Sequence, residues 1–249
     1  MSTHLCDPSP SGVTNTSFLL WVYIYIVLAT QTVKHMAIPI SAKHFAEFVL
    51  GSPSRQSTTV RNLQKPKTAD VIMPISYYKR AIGIIRDYHD QGNDYSVVLQ
   101  GVKSLHQDSE MAEKSQTRVK LRLNLHAVES YMKKFANRSW KVVRCPKCYY
   151  ISSGVQISGK PDLAVQDSNR IRLVKLGIRK QKETEELIRL MLRAMYQAAK
   201  TKLAVKPEDI TYFDVGTGNA ISGDSSDRNL AKTIESGCQL LSRLMEPKQ

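Results

Sequence analysis

Apolar residues recur at three- and four-residue steps in four stretches of this chain, and between them the period drops to two. Tyr77, Ala81, Ile84, Ile85 and Tyr88 share one face of a helix expected over 76–90, and Gln91-Gly92-Asn93-Asp94 ends it with turn chemistry. A polar helix or loop follows through 101–115. Leu121, Leu125, Val128 and Met132 stripe a helix over 117–135, whose other faces carry Arg118, Lys120, Arg122, Lys133 and Lys134. Alternating segments then predict strands at 140–143, 155–157, 163–165 and 171–178. Gly159-Lys160-Pro161 bends the chain between the second and third of these, and Gln166-Asp167-Ser168-Asn169 is a turn, so the segments read as an antiparallel meander.

A strong helix comes next. Thr184 can cap it, Glu183, Glu185 and Glu186 sit near its positive end, and Leu187, Met191, Ala194 and Ala198 form its stripe. A strand is expected over 210–215, a tight turn at Thr217-Gly218-Asn219, and a last helix over 227–245. Helix, three strands, helix, strand, helix is the order of an α/β fold, a mixed central sheet flanked by helices.

The opening of the chain breaks this pattern. Residues 18–29 (FLLWVYIYIVLA) are twelve apolar or aromatic positions without a charge. A membrane span needs about 20, and no Lys or Arg precedes the run as in a signal peptide. Three readings stay open for residues 1–35: a non-native extension before a start at Met36, a signal or anchor, or a buried strand or helix. Residues 51–70, rich in Ser, Thr, Pro and basic groups, read as a surface connector. The organisation expected is therefore an apolar extension (1–35), a helical region (36–116) and a core (117–249).

Charge narrows the partners. Lys and Arg outnumber Asp and Glu by 36 to 22, a net charge of +14. Such an excess favours polyanions, with nucleic acid ahead of a membrane surface. It is concentrated: residues 114–148 carry ten basic groups against the single acid Glu129, and 170–182 carry six against none. Trp140, Tyr149 and Tyr150 lie within the first cluster, where aromatics beside cations suit bases as well as phosphates; the alternative is that they are core or half-buried sheet residues. Cys145-Pro146-Lys147-Cys148 has the spacing of half a zinc knuckle or of a short redox pair, but a structural zinc needs four ligands. Reduced, structural cysteines in a cytoplasmic protein are the expectation.

Gly159-Lys160-Pro161-Asp162-Leu163 on one strand, Arg172-Leu173-Val174-Lys175 on the next, and the long helix that follows resemble the PD-(D/E)XK, or restriction-endonuclease-like, nuclease superfamily. The resemblance spans roughly residues 117–245 and implies an αβββαβ core. It also implies a Mg²⁺-dependent phosphodiesterase in which Asp162 binds the metal and Lys175 positions or activates water. Phosphodiester hydrolysis needs cations beside the developing charge, and hard Mg²⁺ takes carboxylate oxygens. The second acid of the motif falls two residues before the lysine, at Leu173, and a leucine cannot ligate. Glu129 on the preceding helix is the candidate replacement, with His126 one turn earlier. For each the bland reading stands beside the functional one: a solvated helix residue for Glu129, a turn carboxylate for Asp162, an exposed strand lysine for Lys175.

A polyanion groove would be formed by Arg118, Lys120, Arg122, Lys133, Lys134, Arg138, Arg172, Arg179 and Lys180, with DNA favoured over RNA. No Walker loop, dinucleotide fingerprint, GxSxG or HExxH motif is present. Two functions follow: a metal-dependent nuclease, or a catalytically silent nucleic-acid-binding relative of the same fold. Oligomeric state is open.

Overall fold

The computed structural model describes residues 37–65, 77–178 and 183–246. The chain divides into two units, residues 1–37 and 38–249. All but Ala37 of the first lies outside the described residues, and so does the apolar run at 18–29.

The second unit opens with β1 (Ile38–Ser41), α1 (Ala42–Val49) and α2 (Pro53–Gln64). The described part of the supposed connector, 51–65, is thus largely helical, and 66–70 lie outside the described residues: Ser52 accepts from the Arg55 amide, Pro53 sits in the first turn and Val60 is buried. Its polarity reflects a helix with one apolar contact line. Then come α3 (Lys79–Asp90), α4 (Tyr95–Met111) and α5 (Ser115–Phe135). Gly92 and Asn93 take positive φ between α3 and α4, as the turn chemistry required.

The strands are β2 (Lys141–Val142), β3 (Tyr149–Ser152), β4 (Val155–Ser158), β5 (Leu163–Asp167), β6 (Arg170–Gly177), β7 (Ile210–Asp214) and β8 (Ala220–Ser222). Between β6 and β7 runs α6 (Glu185–Ala199), and α7 (Arg228–Met245) closes the chain. The strands form two mixed sheets, one in the order β1-β4-β3 and one in the order β2-β5-β6-β7-β8. In the larger, β5 runs antiparallel to β2 and β6, β6 and β7 are parallel, and β8 is antiparallel to β7.

Two expectations change. The meander consists of β2, β5 and β6, whereas β4 leaves it to pair with β3 and, in parallel, with β1. Gly159-Lys160-Pro161 therefore carries the chain from one sheet to the other. A Cβ on Gly159 would stand 2.7 Å from the Ala198 Cβ, so only glycine lets the crossing pass this close to α6. The β1–β4 pairing also binds residues 38–41 to the 117–249 part, and no domain boundary falls at 116/117.

Helix α6 is the centre of the unit. Thr184 Oγ1 accepts from the Leu187 amide at 3.3 Å, and Glu185 and Glu186 occupy the positive first turn. Leu190, Met191, Leu192, Ala194, Met195, Ala198 and Ala199 are all buried, because α6 is packed by both sheets, α1 and α7. One face of the large sheet (Ala164, Leu173, Ile210, Tyr212) joins this core. The other face (Leu163, Val165, Val174, Leu176, Phe213) packs with Ile85 of α3 and with Tyr131 and Phe135 of α5. Strict alternation on β5, β6 and β7 thus assigns each residue to the α6 side or the α5 side.

Candidate functional site

Asp162 immediately precedes β5, whose first residue Leu163 lies opposite Val174. In that antiparallel register Asp162 comes to stand beside Lys175, and the Asp162 amide donates to Val174 O at 2.9 Å. Lys175 Nζ donates to Asp162 Oδ1 at 2.9 Å, and the Leu176 amide donates to Oδ2 at 2.9 Å. The pair is half-shielded, with side-chain exposures of 14% for Asp162 and 25% for Lys175. Alternation places Lys175 on the α6 side of the sheet, in line with Leu173.

Leu173 is fully buried there, part of the core beneath α6. A carboxylate at this position would be shut away from water within an apolar core, so the leucine is a packing residue. Glu129 does not replace it. The buried residues of α5 are Leu121, Asn124, Ala127, Val128, Tyr131 and Phe135, whereas Glu129 is exposed, as are Arg118, Arg122, His126 and Lys133. At about 100° per residue these five share one stripe on the far side of the helix. Since α5 packs on the sheet face opposite α6, Glu129 points away from Asp162.

Mg²⁺ takes oxygen ligands in near-octahedral geometry, with at least one or two carboxylates free to bind. Asp162 offers one carboxylate with both oxygens engaged by its own chain. Among the described residues no group of three or more His, Cys, Asp and Glu side chains is arranged to hold a metal. The donor set implied by the nuclease resemblance does not fit the ion.

The end of the sheet that carries the pair also bears a groove of about 780 Å³ between the start of α6 and the β7–β8 hairpin, lined by Glu183, Glu185, Tyr212 and Asp214. Its acids have partners within the fold, through Glu183 Oε1 to Lys43 of α1, Glu185 to Arg189, and Asp214 Oδ1 accepting from the amides of Gly216 and Thr217, while Glu183 Oε2 is buried without a hydrogen-bond partner. Tyr212 lies so close over Gly177 that a Cβ there would fall 1.8 Å from its hydroxyl. The Lys43–Glu183 pair joins residues 140 apart, and no local sequence signal announces it.

The basic residues separate into two groups. Arg118, Arg122 and Lys133 are exposed on the outer face of α5, and Arg118 Nη2 also donates to Ala112 O at 2.9 Å. Four others have partners within the fold. Lys120 lies over the Tyr77 ring at 5.5 Å, and Lys134 Nζ donates to the carbonyls of Val215 and Gly216 at the hairpin turn. The Arg138 guanidinium covers Phe213 at 4.7 Å and Trp140 at 5.1 Å. Arg172 is ion-paired to Asp167 at 2.8 Å. Arg179 and Lys180 lie outside the described residues. Trp140 is only 4% exposed and belongs to the core, which removes it as a platform for bases; Tyr149 remains on the surface.

Behind α5 lies a polar network that the sequence did not reveal. His89 is buried, with Nδ1 at 2.8 Å from Asn93 Oδ1 and Nε2 at 2.7 Å from the Tyr131 hydroxyl. Asn93 Nδ2 donates to Arg138 O at 3.0 Å, so its Oδ1 accepts and His89 Nδ1 carries the proton. Nε2 then accepts from Tyr131. Burial pushes the His89 pKa below 6.5, opposed by the Asn93 hydrogen bond and assisted by Arg138. The same burial pushes the Tyr131 hydroxyl up.

No protein-family model, curated protein or solved structure matches this chain. Among the described residues no helix is long and apolar enough to cross a membrane.

Proposed function

We propose that this protein is a nucleic-acid-binding module built on a PD-(D/E)XK-like frame, binding through the outer face of α5 and without an assembled metal centre. The order α5-β2-β5-β6-α6-β7, with the β3–β4 hairpin set aside, supports the resemblance. One observation carries the binding reading: Arg118, Arg122 and Lys133 are exposed on one face of a single helix. Arg118 and Lys133 are 15 positions apart, about 22 Å of helix or roughly six base pairs of duplex. Phosphate contacts from such a face give affinity without sequence choice, and double-stranded DNA is the favoured ligand. Fluorescence anisotropy with a short duplex tests the reading. Binding by the wild type, lost or much weakened in the Arg118→Ala/Arg122→Ala/Lys133→Ala variant with unchanged folding, supports it; equal binding by the two rejects it.

The contact between Asp162 and Lys175 favours a second reading, a nuclease acting from the α6 side of the sheet. That reading expects cleavage of DNA with Mg²⁺ or Mn²⁺ that vanishes in Asp162→Asn. The first expects no turnover with either metal, and metal-dependent cleavage lost in that variant would replace it.

A further inference from the structure

Neither the Asp162–Lys175 pair nor the α5 face makes use of Cys145 and Cys148. They sit in the extended link between β2 of the large sheet and β3 of the small one. Both Sγ atoms lie 3.4 Å from the carbonyl oxygen of Pro146, so one acceptor gathers the two sulfurs on the same side of the loop. The link is pinned along its length. The Val143 amide donates to Ala164 O at 2.9 Å, Lys202 Nζ donates to Lys147 O at 2.8 Å, and the Gly159 amide donates to Cys148 O at 3.1 Å. Cys145 is half-buried and open to a small reagent, whereas Cys148 is 3% exposed.

Three chemistries use two adjacent thiols. A structural zinc needs four ligands, and among the described residues no third His, Cys, Asp or Glu joins the pair. A zinc shared with a second chain needs both sulfurs at the surface, and Cys148 is covered. Disulfide closure needs only that one sulfur be reachable and the other adjacent, which is the arrangement present.

We propose that Cys145 and Cys148 form a reversible intramolecular disulfide, closed by exchange with a small disulfide of the oxidised-glutathione class. Cys145 loses its proton and its thiolate attacks one sulfur of the glutathione disulfide. That S–S bond breaks, a mixed disulfide forms at Cys145, and one glutathione leaves as thiolate and takes up a proton. Cys148 then loses its proton and attacks Cys145 Sγ, and the second glutathione departs with the electron pair of the mixed bond. Two protein thiols are oxidised and one disulfide is reduced to two thiols. Exposed Arg144 and Lys147 flank the loop and attract the carboxylates of glutathione. Burial, reinforced by Cys148, pushes the Cys145 thiol up to about 11. The first step is therefore slow at neutral pH and speeds as pH rises.

The test treats the full-length chain with excess oxidised glutathione at mildly alkaline pH. Expected are the loss of two free thiols, a mass lower by two hydrogens, a proteolytic fragment with Cys145 and Cys148 joined, and recovery of both thiols with dithiothreitol. Cys145→Ser, at a half-exposed position and with a circular dichroism spectrum like the wild type, should form no such bridge. A glutathione adduct that persists on Cys145, a bridge to Cys6 or Cys238 or to a second chain, or unchanged thiol content would each overturn the proposal.

Discussion

At the residue scale, the buried imidazole of His89 has the clearest energetic consequence. Its proton inventory is fixed on both sides, Nδ1–H to Asn93 and Nε2 accepting from Tyr131, so a second proton would set two donors against each other. Its pKa in the folded protein lies below the 6.5 of the unfolded chain. The unfolded chain then binds the extra proton first. The stability linked to His89 is complete above about pH 6.5 and declines as pH falls from there towards the folded value. Urea unfolding at a series of pH values should show this decline, and it should be absent in His89→Gln. Glu129 gives a second prediction. As the one acid on the exposed stripe of α5 it opposes bound phosphates. Glu129→Gln is expected to tighten duplex binding by roughly twofold to fivefold at low salt, measured by anisotropy, whereas loss of a metal-dependent activity in this variant would restore Glu129 as a ligand.

At the element scale, legibility followed burial geometry. The stripes of α3, α5 and α6, the cap at Thr184 and the turn at Gly92-Asn93 were readable because each is set by residues within a few positions of one another. The meeting of Asp162 with Lys175 was readable for a similar reason, since a short hairpin fixes the register of β5 against β6. Helix α2 was not, because a single buried residue, Val60, gives no periodic signal. Glu129 was singled out by its place on the helix before the strands, although the apolar positions of α5 already turn it outwards. Arg138 and Lys134 read as phosphate ligands from charge alone; Phe213 under Arg138 lies on β7, and the carbonyls that Lys134 meets, Val215 and Gly216, follow it, 81 and 82 residues from Lys134. Such long-range partners leave no local trace.

At the scale of the whole molecule, the large sheet separates two surfaces. The Asp162–Lys175 pair and the groove beside α6 lie on one side, and the basic face of α5 lies beyond the other. A nuclease needs its cations and its acids to converge on the same phosphodiester. Here Asp162 is engaged by Lys175 and the Leu176 amide, and the exposed cations of α5 face elsewhere. The small sheet was invisible in the sequence because β1 and β4, which pair in parallel, lie more than a hundred residues apart. The net charge of +14 was legible at once, but it did not say which cations are free.

The most direct measurement is the salt dependence of duplex affinity for the wild type and for Arg118→Ala/Arg122→Ala/Lys133→Ala. Each neutralised phosphate contributes about 0.9 to the slope of log K against log salt, so the variant's slope should be shallower by about 2 to 3. Parallel slopes for the two proteins, or wild-type binding indifferent to ionic strength, would contradict the account.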